Sequence, residues 1–297
     1  MGSGSLPPID PAAPRVPPVI STRWQLARDA AVRYQDVMVP WIFGPFADAL
    51  VEFVAPRRGE AVLDVGCGTG AATRAAANAV GRAGRVVGLD LNVGMLEVAR
   101  GIDLGEGETD GPLPASIEWI EASATAMPLA DRSFDIVVSA QALQFIPESA
   151  LAAREITRVL RPEGRVGVSV WRGIEQNPYF AAQTDAVEQR LGEEAASGLA
   201  AGFKRDPTPL VEALGAAGLE GVEVERIDLL LNLPPLADWA PRHLAATPVA
   251  SALAGTAPGI ARELGADVAH AMADYVTPDG VRVPFSSWVI LGRAPNA

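Results

Sequence analysis

The stretch Val62-Leu63-Asp64-Val65-Gly66-Cys67-Gly68-Thr69-Gly70 decides how the chain is read. A short apolar run, Ala61 to Asp64, is bounded by charges on one side and a glycine cluster on the other, and an Ala-rich segment follows. That order suits a buried strand, a tight turn and a helix. Glycines at every second position let the chain turn sharply and let a ligand approach the backbone without interference from Cβ atoms.

Outward from this stretch the pattern recurs. Short apolar runs stand at Arg85 to Leu89, Ile117 to Ile120, Phe134 to Ser139 and Val166 to Trp171, with room between them for crossover helices. The alternation predicts an α/β fold, a doubly wound parallel sheet with helices on both faces. A helix is expected from Ser149 to Leu160, ending at Arg161-Pro162-Glu163-Gly164. Further helices are expected at 177–201 and 209–217, with strands at 222–231 and 283–291. An Ala-rich helical region is expected at 236–273. Seven strands result, the last antiparallel.

Ahead of the core, helical spacing covers 21–39, with Trp24, Ala27, Ala31 and Tyr34 in phase, and a second helix follows at 45–54. The expected organisation is a Pro-rich tail over 1–20, a helical cap over 21–58, a core over 59–235 and 281–297, and a lid insertion over 236–280. The acidic, Gly- and Pro-rich segment 101–116 reads as an exposed loop.

Composition removes several classes of function. The 297 residues hold 24 Lys plus Arg against 36 Asp plus Glu, a net charge of −12, which opposes a general basic field for nucleic acid or anionic membrane. Cys67 is the only cysteine, so neither a disulfide nor a multi-thiolate metal centre is expected. The two histidines, His243 and His270, have no metal-ligand spacing. The uncharged stretch 244–261 is broken by Pro248, Pro258, Gly255 and Gly259 and predicts no membrane span. A cytoplasmic enzyme is the expectation.

The glycine loop alone leaves two cofactor classes open. Gly66, Gly68 and Ala71 also satisfy the dinucleotide pattern, with Asp90 where an acid would take a ribose diol, so an NAD(P)-dependent oxidoreductase is one reading. Asp64 argues the other way. A carboxylate at the end of the first strand sits awkwardly beside a pyrophosphate but suits an ammonium.

On these residues the chain resembles the class I S-adenosylmethionine-dependent methyltransferases, in particular the branch containing the ubiquinone and menaquinone biosynthesis enzymes. The resemblance implies a Rossmann-like sheet and S-adenosylmethionine as cofactor. It implies that Asp64, Gly66, Gly68 and Gly70 hold the methionine part, that Asp90 takes the ribose hydroxyls, and that Leu91 and Met95 flank the adenine. Ser123 stands where the family has an aspartate for the adenine amino group, and Ala124 offers its backbone amide. Ser139, at the end of the fourth strand, and Gln141, just beyond it, are further candidate cofactor contacts.

The acceptor is expected to be a small apolar or aromatic molecule, of the natural-product or quinone-like kind met in secondary metabolism. Gln144, Tyr34, Trp41 and Trp171 are the candidate contacts, and His243 and Tyr34 the candidate catalytic groups. Methyl transfer from a sulfonium needs alignment and a dry pocket more than covalent help. A methyltransferase-fold protein that cyclises its substrate, or one that only binds the cofactor and stabilises a partner, is an alternative that the motif leaves open.

Overall fold

In the computed structural model of the protein, residues 28–102, 113–203, 206–257, 259–278 and 280–296 are described. The expected tail 1–20, Trp24 and most of the loop 101–116 lie outside these residues.

The elements run α1 (Arg28–Val37), α2 (Gly44–Val54), β1 (Ala61–Val65), α3 (Ala71–Val80), β2 (Arg85–Asp90), α4 (Val93–Gly101), β3 (Ile117–Glu121), β4 (Phe134–Ala140), α5 (Ser149–Val159) and β5 (Leu160–Trp171). The second half continues with α6 (Pro178–Leu191), α7 (Glu193–Ala200), α8 (Thr208–Ala216), β6 (Glu220–Leu233), α9 (Leu236–Leu244), α10 (Val249–Ala254), α11 (Ile260–Ala271), β7 (Val276–Thr277) and β8 (Gly280–Arg293).

The strands form one sheet in the order β3-β2-β1-β4-β5-β8-β6, with β7 paired to β8. The first five pair in parallel, and β8 is antiparallel to both β5 and β6. Every residue of β1 is buried, as a strand covered on both faces requires. Val62 packs with α2 and α3 on one face, whereas Leu63 and Val65 pack with α5 on the other. By this alternation Asp64 points to the same face as Val62. The strand order reverses between β1 and β4, which run parallel and whose register pairs Asp64 with Val138, so the crevice of the doubly wound sheet opens beyond these two strand ends.

The element order agrees with the alternating apolar runs, and four details differ. There are eight strands among the described residues, because β7 makes a two-residue hairpin with β8 that is too short to show a period. Strand β5 starts at Leu160 rather than Val166. Leu160 pairs with Phe134 and Arg165 with Ile136, and the irregularity between them takes up the Arg161-to-Gly164 turn, with Glu163 at φ 61°. The segment 177–201 divides at Gly192, where φ is 89°. The region 236–273 is three helices, separated around Pro248 and Gly255.

Between α1 and α2, Val39 to Phe43 forms a π-helical turn in which Phe43 N–H reaches Met38 O. This widened turn carries Phe43 onto the cavity wall. No single helix among the described residues is long and apolar enough to cross a membrane.

Candidate functional site

Strand β1 ends in the glycine loop, and the loop is fixed by its neighbours. Gly66 and Cys67 donate their N–H groups to Leu89 O at 2.8 and 3.0 Å, and Gly68 N–H donates to Asp90 Oδ2 at 2.7 Å. The other carboxylate oxygen of Asp90 accepts from Asn92 N–H at 2.8 Å, and the Asn92 side chain caps α4 by accepting from Met95 N–H. Asp90 therefore ties the loop to the start of α4. Burial raises its pKa, partly offset by the amides of Asn92, Gly68 and Leu91.

The glycines are not equivalent. At Gly66, with φ 71°, a Cβ would lie 2.4 Å from the Ala142 Cβ. At Gly68, with φ 54°, a Cβ would meet nothing within 4 Å. The open place at Gly68 faces the cavity.

Asp64 accepts from the Thr73 hydroxyl through Oδ2 at 2.6 Å, and its Oδ1 is buried without a partner. Burial raises its pKa to about 7 against the lowering effect of the Thr73 bond, and the Asp90 charge adds to the rise. Tyr34 reaches the same space from α1. Its phenol is pushed well above the ordinary value by burial and then by the charges of Asp90 and Asp64, so it stays a proton donor.

These groups line a cavity of about 250 Å³ that continues into an aromatic wall of Phe43, Trp171, Phe180 and Phe203. Trp171 is its hub, with ring centroids 5.8 Å from Phe43, 5.2 Å from Phe180 and 6.2 Å from Phe203. The charged lining is Asp64, Asp90 and Glu148, and no Lys or Arg side chain lines it among the described residues. An unpaired buried acceptor, two further carboxylates and an open backbone cradle fit a cofactor that carries an ammonium and a ribose diol. They do not fit a pyrophosphate. No group of His, Cys, Asp or Glu among the described residues could hold a metal ion.

The structure brings Tyr34, Asp64, Gly66, Gly68, Asp90, Leu91, Met95, Ser123, Ala124, Gln141, Trp171 and His243 to this one cavity. Four expected residues lie elsewhere. Gly70 packs under Trp119, where a Cβ would come within 2.3 Å of the indole. Ser139 is fully buried and donates to Val65 O at 2.7 Å, tying β4 to β1. Gln144 accepts from Trp171 N–H at 3.1 Å and so braces the aromatic hub from behind. Trp41 is 40% exposed and lines a separate cleft with Asp238 and Arg242.

Two of the cavity residues are also held internally. Gln141 takes a left-handed φ of 55°, and its Nε2 donates to Ser287 Oγ at 2.7 Å. The Ser123 hydroxyl accepts from Thr125 N–H and pairs with the Thr125 hydroxyl at 2.8 Å.

Sequence reasoning missed Gln183 and the role of Tyr179. Gln183 Nε2 donates to the Tyr179 hydroxyl at 2.9 Å, and that hydroxyl lies 2.9 Å from His243 Nδ1. Two polar residues four apart on an otherwise buried stretch of α6 were the available signal, since such a pair shares one helix face.

The methyltransferase domain family matches residues 63–168. Over 110 residues the chain is 42% identical to a ubiquinone/menaquinone biosynthesis C-methyltransferase of Hahella chejuensis, covering 37% of this chain and 42% of that protein. Over 127 residues it is 35% identical to the nocamycin O-methyltransferase of Saccharothrix syringae, covering 43% of each. The chain thus matches less than half the length of these curated relatives. Its fold is similar to that of phosphoethanolamine N-methyltransferase 2 of Haemonchus contortus solved with S-adenosylmethionine, with a TM-score of 0.56 and 19% identity over 93% of this chain and 59% of that one. Residues 63–168, which carry the glycine loop, Asp90 and the β4 strand, thus match the methyltransferase domain family, and the sheet has the fold of solved methyltransferases.

Proposed function

We propose that the protein transfers a methyl group to a small, largely apolar or aromatic molecule. The observation that carries this reading is the cavity itself. Asp64, whose Oδ1 is buried and unpartnered, and Asp90 line the same cavity as the wall of Phe43, Trp171, Phe180 and Phe203.

When bound, the cofactor supplies a methyl group on a sulfonium, a leaving group that needs no acid. The residues of this chain then have to bind, orient and exclude water. In this reading Asp64 Oδ1 receives the ammonium, and Asp90 uses its remaining lone pairs on the ribose hydroxyls while its other contacts hold the loop. Leu91 and Met95 flank the adenine, with Ser123 and Ala124 at its edge. Gly66 and Gly68 carry the backbone past the methionine part. Gln141, fixed by Ser287, closes the crevice from the β4 side. Trp171 and Tyr34 shape the acceptor space, and His243 contacts the acceptor.

The absence of a basic lining among the described residues supports a cationic cofactor and an acceptor without phosphate. A nicotinamide dinucleotide would bring two phosphates to a space whose charged groups are carboxylates.

Calorimetric titration with S-adenosylhomocysteine, with NADH in parallel, tests the cofactor half of the proposal. Binding of the former alone supports it, and binding of NADH alone overturns it. For the reaction, product mass decides, since a gain of one methyl supports transfer whereas an isomer of the substrate supports cyclisation.

A further inference from the structure

Among the described residues, the wall of the cavity supplied by 180–247 is apolar apart from Gln183, His243 and Thr247. Thr247 is satisfied within its own turn, since its hydroxyl donates to Leu244 O at 2.8 Å and accepts from Val249 N–H at 3.3 Å. Gln183 and His243 are not. Each spends one polar atom on the Tyr179 hydroxyl, which lies 2.9 Å from Gln183 Nε2 and 2.9 Å from His243 Nδ1. Each then has one polar atom left over. Gln183 Oε1 is buried without a partner, and nothing among the described residues pairs with His243 Nε2. Tyr179 is fully buried and stands behind the wall, so the two residues that line the cavity are joined through one that does not.

The Tyr179 hydroxyl has a single proton, and this makes the two ends of the chain opposite in character. His243 is 1% exposed and packs against Tyr179, Phe180 and Trp239, which keeps its imidazole neutral. If the hydroxyl accepts from the Gln183 amide, it donates to Nδ1, so Gln183 is left with a carbonyl oxygen and His243 with an Nε2–H. If the amide is turned over, the hydroxyl donates to it and accepts from Nδ1–H, so Gln183 is left with N–H groups and His243 with a lone pair. In both cases one end is a donor and the other an acceptor.

Resting on the methyl-transfer reading above, we propose that Gln183 and His243 bind a hydroxyl group of the acceptor, which gives its proton to one end of the chain and accepts from the other. A hydroxyl meets both demands with one atom. An ether or a carbonyl would leave the accepting end unpaired, and a methyl group would leave both ends unpaired inside a buried wall, so the pair selects against them. The hydroxyl is an anchor and keeps its proton. It therefore brings no negative charge to a cavity whose charged lining is Asp64, Asp90 and Glu148.

The test compares 2-naphthol with 2-methylnaphthalene, which carries a methyl group in place of the hydroxyl. Both are titrated by calorimetry onto the full-length protein, with and without saturating S-adenosylhomocysteine. Apolar walls alone favour the methyl compound, because a buried hydroxyl without partners loses its water and gains nothing. The parent protein is expected to favour 2-naphthol by about tenfold or more, through two hydrogen bonds. Gln183→Met and His243→Phe each remove one end of the chain and should reverse that order, whereas His243→Gln keeps a donor and an acceptor and should retain it. Losses that fall equally on both ligands mark a merely structural role and overturn the proposal. A parent protein that favours 2-methylnaphthalene, or that does not bind 2-naphthol, overturns it as well.

The link through Tyr179 is read separately by ¹⁵N-histidine NMR, since the chain has only two histidines. One tautomer of His243 is expected in the parent protein and a mixture in Tyr179→Phe, and the same tautomer state in both overturns the link. Failure of S-adenosylhomocysteine to bind would instead overturn the methyl-transfer reading, with the naphthol preference of the ligand-free protein still deciding the hydroxyl site.

Discussion

The Thr73 hydroxyl donates to Asp64 Oδ2 at 2.6 Å, so the first turn of α3 holds the carboxylate at the end of β1 and leaves its other oxygen, Oδ1, buried without a partner. The bond stabilises the ionised form while burial opposes it, and burial dominates, with the pKa raised from 3.8 to about 7. In the ligand-free protein the native state therefore keeps a proton that the unfolded chain has lost. Stability should fall as pH rises from about 4 to 7, then level. Binding of an ammonium-bearing ligand requires the carboxylate and runs the other way. S-adenosylhomocysteine affinity should rise by up to about tenfold per pH unit below pH 7 and flatten above it. Calorimetry from pH 5.5 to 8 measures this. Thr73→Val should move the midpoint upward, and Asp64→Asn should abolish the slope.

Asp90 is expected to matter twice, because the oxygens proposed for the ribose also accept from Gly68 and Asn92. Asp90→Ala should weaken S-adenosylhomocysteine binding by about 2 to 4 kcal/mol, the scale of two charge-assisted hydrogen bonds. It should also lower the melting temperature of the ligand-free protein, since two backbone donors lose their partner. An unchanged dissociation constant would contradict the ribose role.

How much of this was legible in the sequence depends on distance along the chain. The glycine loop, Asp64 and Asp90 belong to one strand-turn-helix-strand unit, and their local pattern fixed their place. Gly70 and Ser139 carried the right residue type at the right spacing. Their environment is set by Trp119 and by Val65 O, contacts across the sheet that no periodicity encodes. Trp41 is expected as an acceptor contact. The π-helical turn that brings Phe43 to the cavity sets Trp41 in another cleft, and a one-residue change in helical period is invisible in composition. The His243, Tyr179 and Gln183 chain joins α9 to α6 across 60 or more residues, and only packing could reveal it.

Ser123 offers a gain-of-function test. Its hydroxyl is engaged by Thr125, yet Ser123 lines the cavity where the resembled family carries an aspartate. Ser123→Asp can keep the turn, because an aspartate oxygen also accepts from the backbone N–H two residues on. The second oxygen is then free for the adenine amino group. S-adenosylhomocysteine binding should tighten by roughly 0.5 to 1.5 kcal/mol, the net worth of one added hydrogen bond. Weaker binding would place the adenine elsewhere.

The two cavity glycines separate folding from binding. Both have positive φ, so alanine at either costs about 1 to 2 kcal/mol in the backbone. At Gly66 the new methyl also lies 2.4 Å from the Ala142 Cβ, and the shift this forces adds about 1 to 3 kcal/mol. At Gly68 the methyl has open space on the side where the ligand is proposed to lie. Gly66→Ala should therefore lower the melting temperature clearly, by about 2 to 4 °C for each kcal/mol lost. Gly68→Ala should lower it less, and its larger effect should be on S-adenosylhomocysteine affinity, with a loss of about tenfold or more where the methyl displaces the ligand from the backbone. Scanning calorimetry paired with isothermal titration on the two variants distinguishes these effects. Equal affinity of Gly68→Ala and the parent would move the proposed methionine position away from this loop.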